Sequence, residues 1–222
     1  MPPVSQPSKE TPRARALRVA GRLNEYRGEE RANLLRVIGV AAFYVVQLLN
    51  RYGVDLGWLH VPRLAMTDQL HEAMTLITAA WLAVAMTVSL SLRNRFFPRW
   101  LKYVVTAFDF ALMTLALCFA DGPRSPLVVA LFPLLSLSAL RFDRRLVRFA
   151  GAAAVVSYVW LLGFASTLRT DLVVPRYQEL LMILALSLTA VVLDAVVGAS
   201  RTLAEETADR DRPDEAADKA AP

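Results

Sequence analysis

Long apolar runs separated by short charged clusters dominate the chain from residue 33 to residue 200. A helix needs about 20 apolar residues to cross roughly 30 Å of hydrocarbon, and most of these runs have that length. The pattern predicts an all-α fold, a bundle of six transmembrane helices. The expected spans are 33–50, 73–92, 101–120, 126–140, 149–168 and 180–200. The fourth is the shortest and contains Pro133, which removes a backbone donor and predicts a kink.

The segments that flank this membrane domain differ from it in composition. Residues 1–11 are rich in proline and serine, and we expect them to be disordered. Residues 12–32 carry apolar residues at roughly helical spacing among arginines. This spacing predicts a short basic amphipathic helix that lies on anionic lipid headgroups, with an ordinary solvated helix as the alternative. Residues 201–222 are expected to form a helix extension followed by a disordered tail.

Basic residues sort to one side of a six-span arrangement. The 222-residue chain has a formal net charge of +5, and its Lys and Arg residues lie in clusters between apolar runs. This distribution indicates membrane topology and argues against a nucleic-acid surface. By the positive-inside rule both termini are cytoplasmic, as in a multi-pass protein of the bacterial inner membrane. Five of the 25 Lys and Arg residues would lie on the far side, namely Arg51, Arg63, Arg124, Arg169 and Arg176.

Cysteine and histidine usage argues against a metal site or a cofactor. The lone Cys118 excludes an internal disulfide and a cysteine-based metal cluster. Haem ligation within a bundle needs histidines that face each other at matched depth, whereas His60 and His71 lie at the rim. We therefore expect no cofactor and no metal, and we interpret His71 as a pH-responsive or interface residue.

Asp109 is the carboxylate nearest the middle of a predicted span. An ionisable group is costly at that depth and marks a structural or functional role. The expected structural role is a carboxylate held by hydroxyl groups of neighbouring helices, and the functional alternatives are a proton-sensitive switch or an ion site. The expected hydroxyl donors are Thr106, Thr114, Ser136 and Ser138.

Two further carboxylates have a basic residue within reach. Asp194 lies in the cytoplasmic third of the sixth run, and Arg201, Arg141 or Arg145 is its expected partner. Asp121 begins a Gly- and Pro-containing turn that also holds Arg124. Solvated turn charges are the simpler interpretation of this pair, and ligand recognition is the alternative.

Arg36 is the one basic residue inside the first predicted span. Because the span is short, we expect the Arg36 side chain to extend back to the membrane interface.

Several short motifs recur together along the chain. They are Lys102-Tyr103, Asp109-x-x-Leu112-Met113-Thr114, Asp121-Gly-Pro-Arg-Ser-Pro-Leu-Val, Ala139-Leu140-Arg141-Phe142 and the stretches Val174–Gln178 and Leu203–Glu206. With these motifs the chain resembles a six-span bacterial membrane domain, which is found at the N-terminus of pilus-regulating sensor histidine kinases and of some membrane-bound adenylate and guanylate cyclases. The resemblance covers roughly residues 30–208, and its end is similar to planctomycete versions.

The resemblance implies a sensor domain whose last span continues into a signalling helix. The residues after the sixth run carry no phosphoacceptor histidine, nucleotide-binding motif or cyclase carboxylate pair, and Asp194 and Gly198 depart from the family pattern. We therefore expect a non-enzymatic signal-input module that acts through a homodimer contact or a cytoplasmic kinase or cyclase partner. The alternatives are a small ion-coupled carrier that uses Asp109 and Asp194, and a membrane assembly or scaffold subunit.

Overall fold

The computed structural model describes residues 12–55, 60–61, 68–94, 98 and 100–210, and side chains within 28–53, 68–94, 98 and 100–204. The disorder expected for residues 1–11 and for the tail after residue 210 lies outside these ranges. The arginine side chains on which the expected lipid contact of residues 12–32 depends lie largely outside them as well.

Six α-helices make up most of the described part of the chain, which confirms the predicted all-α class. A pair of two-residue antiparallel strands, Val54–Asp55 and His60–Val61, follows the first helix, and short 3₁₀ turns join later helices. The helices are α1 Pro12–Tyr52, α2 Asp68–Arg93, α3 Leu101–Phe119, α4 Leu131–Ala139, α5 Arg144–Leu168 and α6 Arg176–Arg210.

Five helical stretches are long and apolar enough to cross a bilayer, which indicates a multi-pass membrane protein. These stretches are Gly28–Tyr52, Asp68–Arg93, Leu101–Phe119, Arg144–Leu168 and Arg176–Ala204. The fourth predicted run forms a shorter apolar helix over Pro126–Ala139. Its first part, Pro126–Ala130, is a 3₁₀ turn, and the α-helix begins at Leu131. Because proline lacks a backbone N–H, Pro133 leaves this short helix with one donor fewer.

Helix α1 joins the predicted basic segment 12–32 and the first predicted span in one uninterrupted helix of 41 residues. Helix α6 is likewise continuous over 35 residues, and its last part, residues 201–210, has the charged sequence RTLAEETADR. Both long helices therefore extend beyond the stretches that have the composition of membrane spans.

The core lies mainly between α2, α3, α4 and α5, and α1 and α6 add Val40 and Leu186 to it. Its largest fully buried side chains include Trp81, Tyr158 and Phe110. Helix α5 packs closely on α6 at Gly151, where a Cβ atom would lie 2.5 Å from the Ala190 Cβ atom. Large apolar side chains also cover the outside of the bundle, as is expected of helices that face lipid.

Candidate functional site: a buried charge network beside an apolar cleft

Asp109 forms a buried ion pair with Arg36. Arg36 on α1 is 3% exposed and Asp109 on α3 is 5% exposed. The Arg36 Nε donates to Oδ1 at 2.9 Å and to Oδ2 at 3.1 Å, and Nη2 donates to Oδ2 at 2.8 Å. Trp81 on α2 donates its Nε1–H to the same Oδ1 at 2.8 Å. The carboxylate therefore links three helices, and the expectation that Arg36 extends to the interface was wrong.

Asn33 lies one turn before Arg36 and holds the guanidinium in position. Its Oδ1 accepts a hydrogen bond from the Arg36 Nη1 at 2.7 Å. Its Nδ2 donates to the Ala85 carbonyl at 3.0 Å and to the Ser89 Oγ at 2.9 Å, both on α2. Two positions of α1 thus reach polar groups of α2 and α3, which fixes the rotation of α1 about its own axis.

The four hydroxyl groups expected to bind Asp109 do not do so. Each donates to a backbone carbonyl three or four residues earlier in its own helix, a common arrangement that satisfies the hydroxyl without a second helix. The acceptor carbonyls belong to Lys102 for Thr106, Phe110 for Thr114, Phe132 for Ser136 and Leu135 for Ser138. The predicted hydroxyl partners of Asp109 were therefore wrong, although the carboxylate is buried among polar groups as expected.

A second buried ion pair joins α1 to the turn between α4 and α5. The Arg141 Nη2 donates to the Glu29 Oε1 at 2.6 Å, and the two side chains are 5% and 2% exposed. The Arg141 Nη1 also donates to the Thr106 Oγ1 at 2.8 Å. Helix α1 approaches the α4–α5 turn closely at Gly28, where a Cβ atom would lie 3.1 Å from the Leu140 carbonyl oxygen. Glycine at position 28 therefore lets Glu29 reach the turn.

Lys102 and Asp143 form a third ion pair at the same turn, with 2.5 Å between Nζ and Oδ2. Asp143 also caps α5 by accepting a hydrogen bond from the Arg145 backbone N–H at 2.9 Å. Burial opposes ionisation of Asp143, but the hydrogen bond and charge of Lys102 outweigh it and lower the pKa of the carboxyl group. Phe142, which lies between Arg141 and Asp143 in the chain, adopts a left-handed conformation with φ of 50°, and this conformation closes the turn.

These three pairs balance their charges within a small region. We call the six residues the charge network: Glu29, Arg36, Lys102, Asp109, Arg141 and Asp143. Such burial is tolerated because every charge has an opposite partner, and removing one partner leaves the other unpaired.

Asp194 on α6 is held by the neighbouring helix α5 and lies outside the charge network. Arg144 donates to both of its carboxylate oxygens, at 3.1 and 2.8 Å, and Arg148 donates to Oδ2 at 3.1 Å. The predicted partners Arg201, Arg141 and Arg145 were wrong. Arg144 and Arg148 are one turn apart on the side of α5 that faces α6, whereas Arg141 is occupied by Glu29.

The remaining predicted site residues lie apart from the charge network. His71 is in the first turn of α2, and its buried Nδ1 has no hydrogen-bond partner in the part of the chain that the structure describes. Asp121 is exposed after α3, and Arg124 donates to the Val173 carbonyl at 2.9 Å. Among the described residues, no group of three His, Cys, Asp or Glu side chains has a metal-binding arrangement.

An apolar cleft of about 710 Å³ lies between α1 and α4, next to the charge network. Arg36 and Trp81 form part of its wall, so the ion pair with Asp109 borders the cleft. Most of the remaining lining is aliphatic or aromatic, and includes Val40, Phe43 and Leu137.

Comparisons with protein-family models, curated proteins and solved structures each return no match.

Proposed function

We propose that the chain is a multi-pass signal-input module of the bacterial inner membrane, with six spans and both termini in the cytoplasm. One observation carries the proposal: α1 and α6 extend beyond their apolar stretches at the same end of the bundle. Glu29, just after the basic segment of α1, binds Arg141 in the α4–α5 turn. Arg144, three residues after Arg141, binds Asp194 in the C-terminal half of α6. Long helices that leave a bundle together suit the transfer of a signal to a cytoplasmic partner or a second copy.

We propose that the charge network is the element of such a module that changes between states, with its ion pairs formed in one state and exchanged in the other. Signal transfer requires a part of the protein whose position differs between states. Helix α1 meets the α4–α5 turn and α3 through the pairs of Glu29 and Arg36. A stimulus that shifts α1 would have to break or exchange these pairs, so the movement would be stepwise rather than gradual. The basic segment that begins α1 continues the same helix, and we propose that its basic residues nearest the membrane contact anionic headgroups, where each contact is worth about 1 kcal/mol.

The proposed topology makes a direct prediction for reporter fusions. The basic clusters that sort to one side require the fourth run to cross the membrane despite its short helix. A reporter found outside after Arg144 would contradict the crossing and with it the six-span arrangement. Fusions are expected to alternate out, in, out, in, out, in after His60, Phe96, Gly122, Arg144, Leu172 and Arg210.

The input role predicts a homodimer in which the cytoplasmic ends of α6 adjoin. In a Cys118→Ala background, single cysteines at each position from 199 to 204 should form disulfide-linked dimers in native membranes under mild oxidation. The yield should peak at positions three or four residues apart, because one face of each helix would lie at the contact. The matched control is Tyr177→Cys at the opposite end of α6, which is exposed and should not cross-link.

Absence of dimers at all six positions would contradict this output and favour the ion-coupled carrier. The observation that favours a carrier is the interrupted helix over 126–139 beside a buried ion pair, since transporters use broken helices around polar sites. A carrier would also show proton or cation flux in proteoliposomes that Asp109→Asn abolishes.

A further inference from the structure

Both walls of the cleft between α1 and α4 are formed by segments that lie within the hydrocarbon region of the proposed membrane arrangement. Its α1 residues fall within the apolar stretch Gly28–Tyr52, and its α4 side is formed by residues of the apolar run 126–140. Its volume of about 710 Å³ is in the range of roughly 300–1,000 Å³ that is typical of small-molecule sites. A molecule that enters between these two helices therefore arrives from the hydrocarbon region.

The polar atoms that border the cleft are already engaged. Arg36 binds Asp109 and Asn33, Trp81 donates to Asp109, and the Ser136 hydroxyl donates to the Phe132 carbonyl. Among the described residues, no side-chain polar atom of the cleft lining is buried without a partner. The described side chains of the cleft thus offer no unpaired buried donor or acceptor to a polar ligand, and the wall matches a flexible apolar chain.

Gly39 provides the open space in the α1 wall. A Cβ atom built at this glycine would meet no other atom within 4 Å, whereas Cβ atoms at Gly28 and Gly151 would crowd neighbouring groups. Glycine in a helix interior costs stability relative to alanine, and here no close helix contact requires it. The space in front of Gly39 is continuous with the cleft that it lines.

We propose that this cleft is a binding site for one long acyl chain. The chain is either that of a free fatty acid or one of the two chains of a phospholipid, and both present the same chemistry to the cleft. Binding would differ from ordinary lipid contact because the site is concave, holds a limited volume and saturates. The proposal goes beyond the signal-input role and does not depend on it, since occupancy is measured without any output.

The test uses the full chain in nanodiscs with two photoactivatable probes. One probe is palmitic acid with a diazirine in mid-chain, and the other is phosphatidylglycerol that carries the same chain. After irradiation, mass spectrometry maps labelled peptides. Labelling of the α1 and α4 segments that line the cleft should saturate with probe fraction and be displaced by unlabelled palmitate, and the probe that labels identifies the source of the chain.

A matched pair of glycine variants isolates the cleft. Gly39→Leu should reduce cleft labelling about tenfold, equivalent to about 1.4 kcal/mol, because the new side chain occupies the site. Gly163→Leu is the control, since Gly163 on α5 also has no atom within 4 Å of a built Cβ and does not line the cleft. It should leave cleft labelling unchanged. Ser136→Leu fills the cleft from α4 and repeats the test should Gly39→Leu prove unstable to heating.

Two results would overturn the proposal. One is labelling that rises without saturation and is equal on all lipid-facing helices, which means ordinary bilayer contact. The other is cleft labelling that persists in Gly39→Leu and Ser136→Leu variants that unfold at the wild-type temperature. Neither result bears on the α6 cross-links, so failure of this site is distinguishable from failure of the proposed input role.

Discussion

Replacing Asp109 with leucine should destabilise the bundle by about 3–5 kcal/mol, because Arg36 would be left as a buried charge without its partner. The Trp81 indole N–H would lose its acceptor as well. The loss of interhelical hydrogen bonds alone, with no ion pair involved, would lower the free energy of unfolding by only about 1 kcal/mol. Asp109→Asn should fall between wild type and Asp109→Leu, since an amide keeps a hydrogen-bond acceptor but removes the negative charge. Denaturant-induced unfolding in detergent micelles measures these differences.

Asp194→Leu is the matched control for this prediction. Asp194 is also a carboxylate in an apolar helix and also accepts from arginines. Its partners Arg144 and Arg148 have side chains that are 45% and 64% exposed, so they regain water or headgroup contacts when the carboxylate is removed. Exposed pairs contribute about 0–1 kcal/mol, and the control should stay within that range. Equal losses in Asp109→Leu and Asp194→Leu would contradict the assignment of a special role to the buried pair.

The second large effect is expected at Glu29. Glu29→Leu should cost about 3 kcal/mol, at the lower end of the range for breaking a buried pair. The loss is smaller than at Asp109 because Arg141 keeps the Thr106 hydroxyl and the Lys102 carbonyl as acceptors. Since this pair holds α1 to the α4–α5 turn, amide hydrogen exchange should accelerate around residues 28–33 and 138–143 before the rest of the bundle opens.

Glu30 offers the control for this substitution. It lies next to Glu29 on α1 but its side chain is exposed. Glu30→Leu should change the free energy of unfolding by no more than about 0.5 kcal/mol, as is usual for surface positions. Protection of the α4–α5 turn that survives Glu29→Leu would contradict the role assigned to the Glu29–Arg141 pair.

The helices were predictable from the sequence because the length of each apolar run indicates a helix that could cross the membrane. Predicted and observed helices coincide closely for 101–120 and α3, and the weak fourth run is short in the structure as well. Helix α1 differs from the prediction because the basic segment 12–32 and the first span form one helix rather than two. No residue between them breaks the helix. Local sequence therefore accounts for where the chain is helical and where it turns.

The partners of the charged residues were not predictable in the same way. Asp109 stood out as a carboxylate inside an apolar run, but its cation comes from a position 73 residues earlier in the chain. One signal was available: Glu29, Asn33 and Arg36 are spaced four and three apart, so they share one face of a helix. Three polar residues on one face at the start of a span indicate an inward-facing polar stripe. That signal contradicts the expectation that Arg36 extends to the interface.

Arg36 and Asp109 stabilise the bundle as a pair within the buried charge network. A double-mutant cycle of Arg36→Leu, Asp109→Leu and the double variant, read as free energies of unfolding, tests this claim. Each single variant should be strongly destabilised, whereas the double variant should be more stable than either, because no unpaired charge remains and two leucines suit the apolar surroundings. A double variant whose loss equals the sum of the two single losses would contradict the claim.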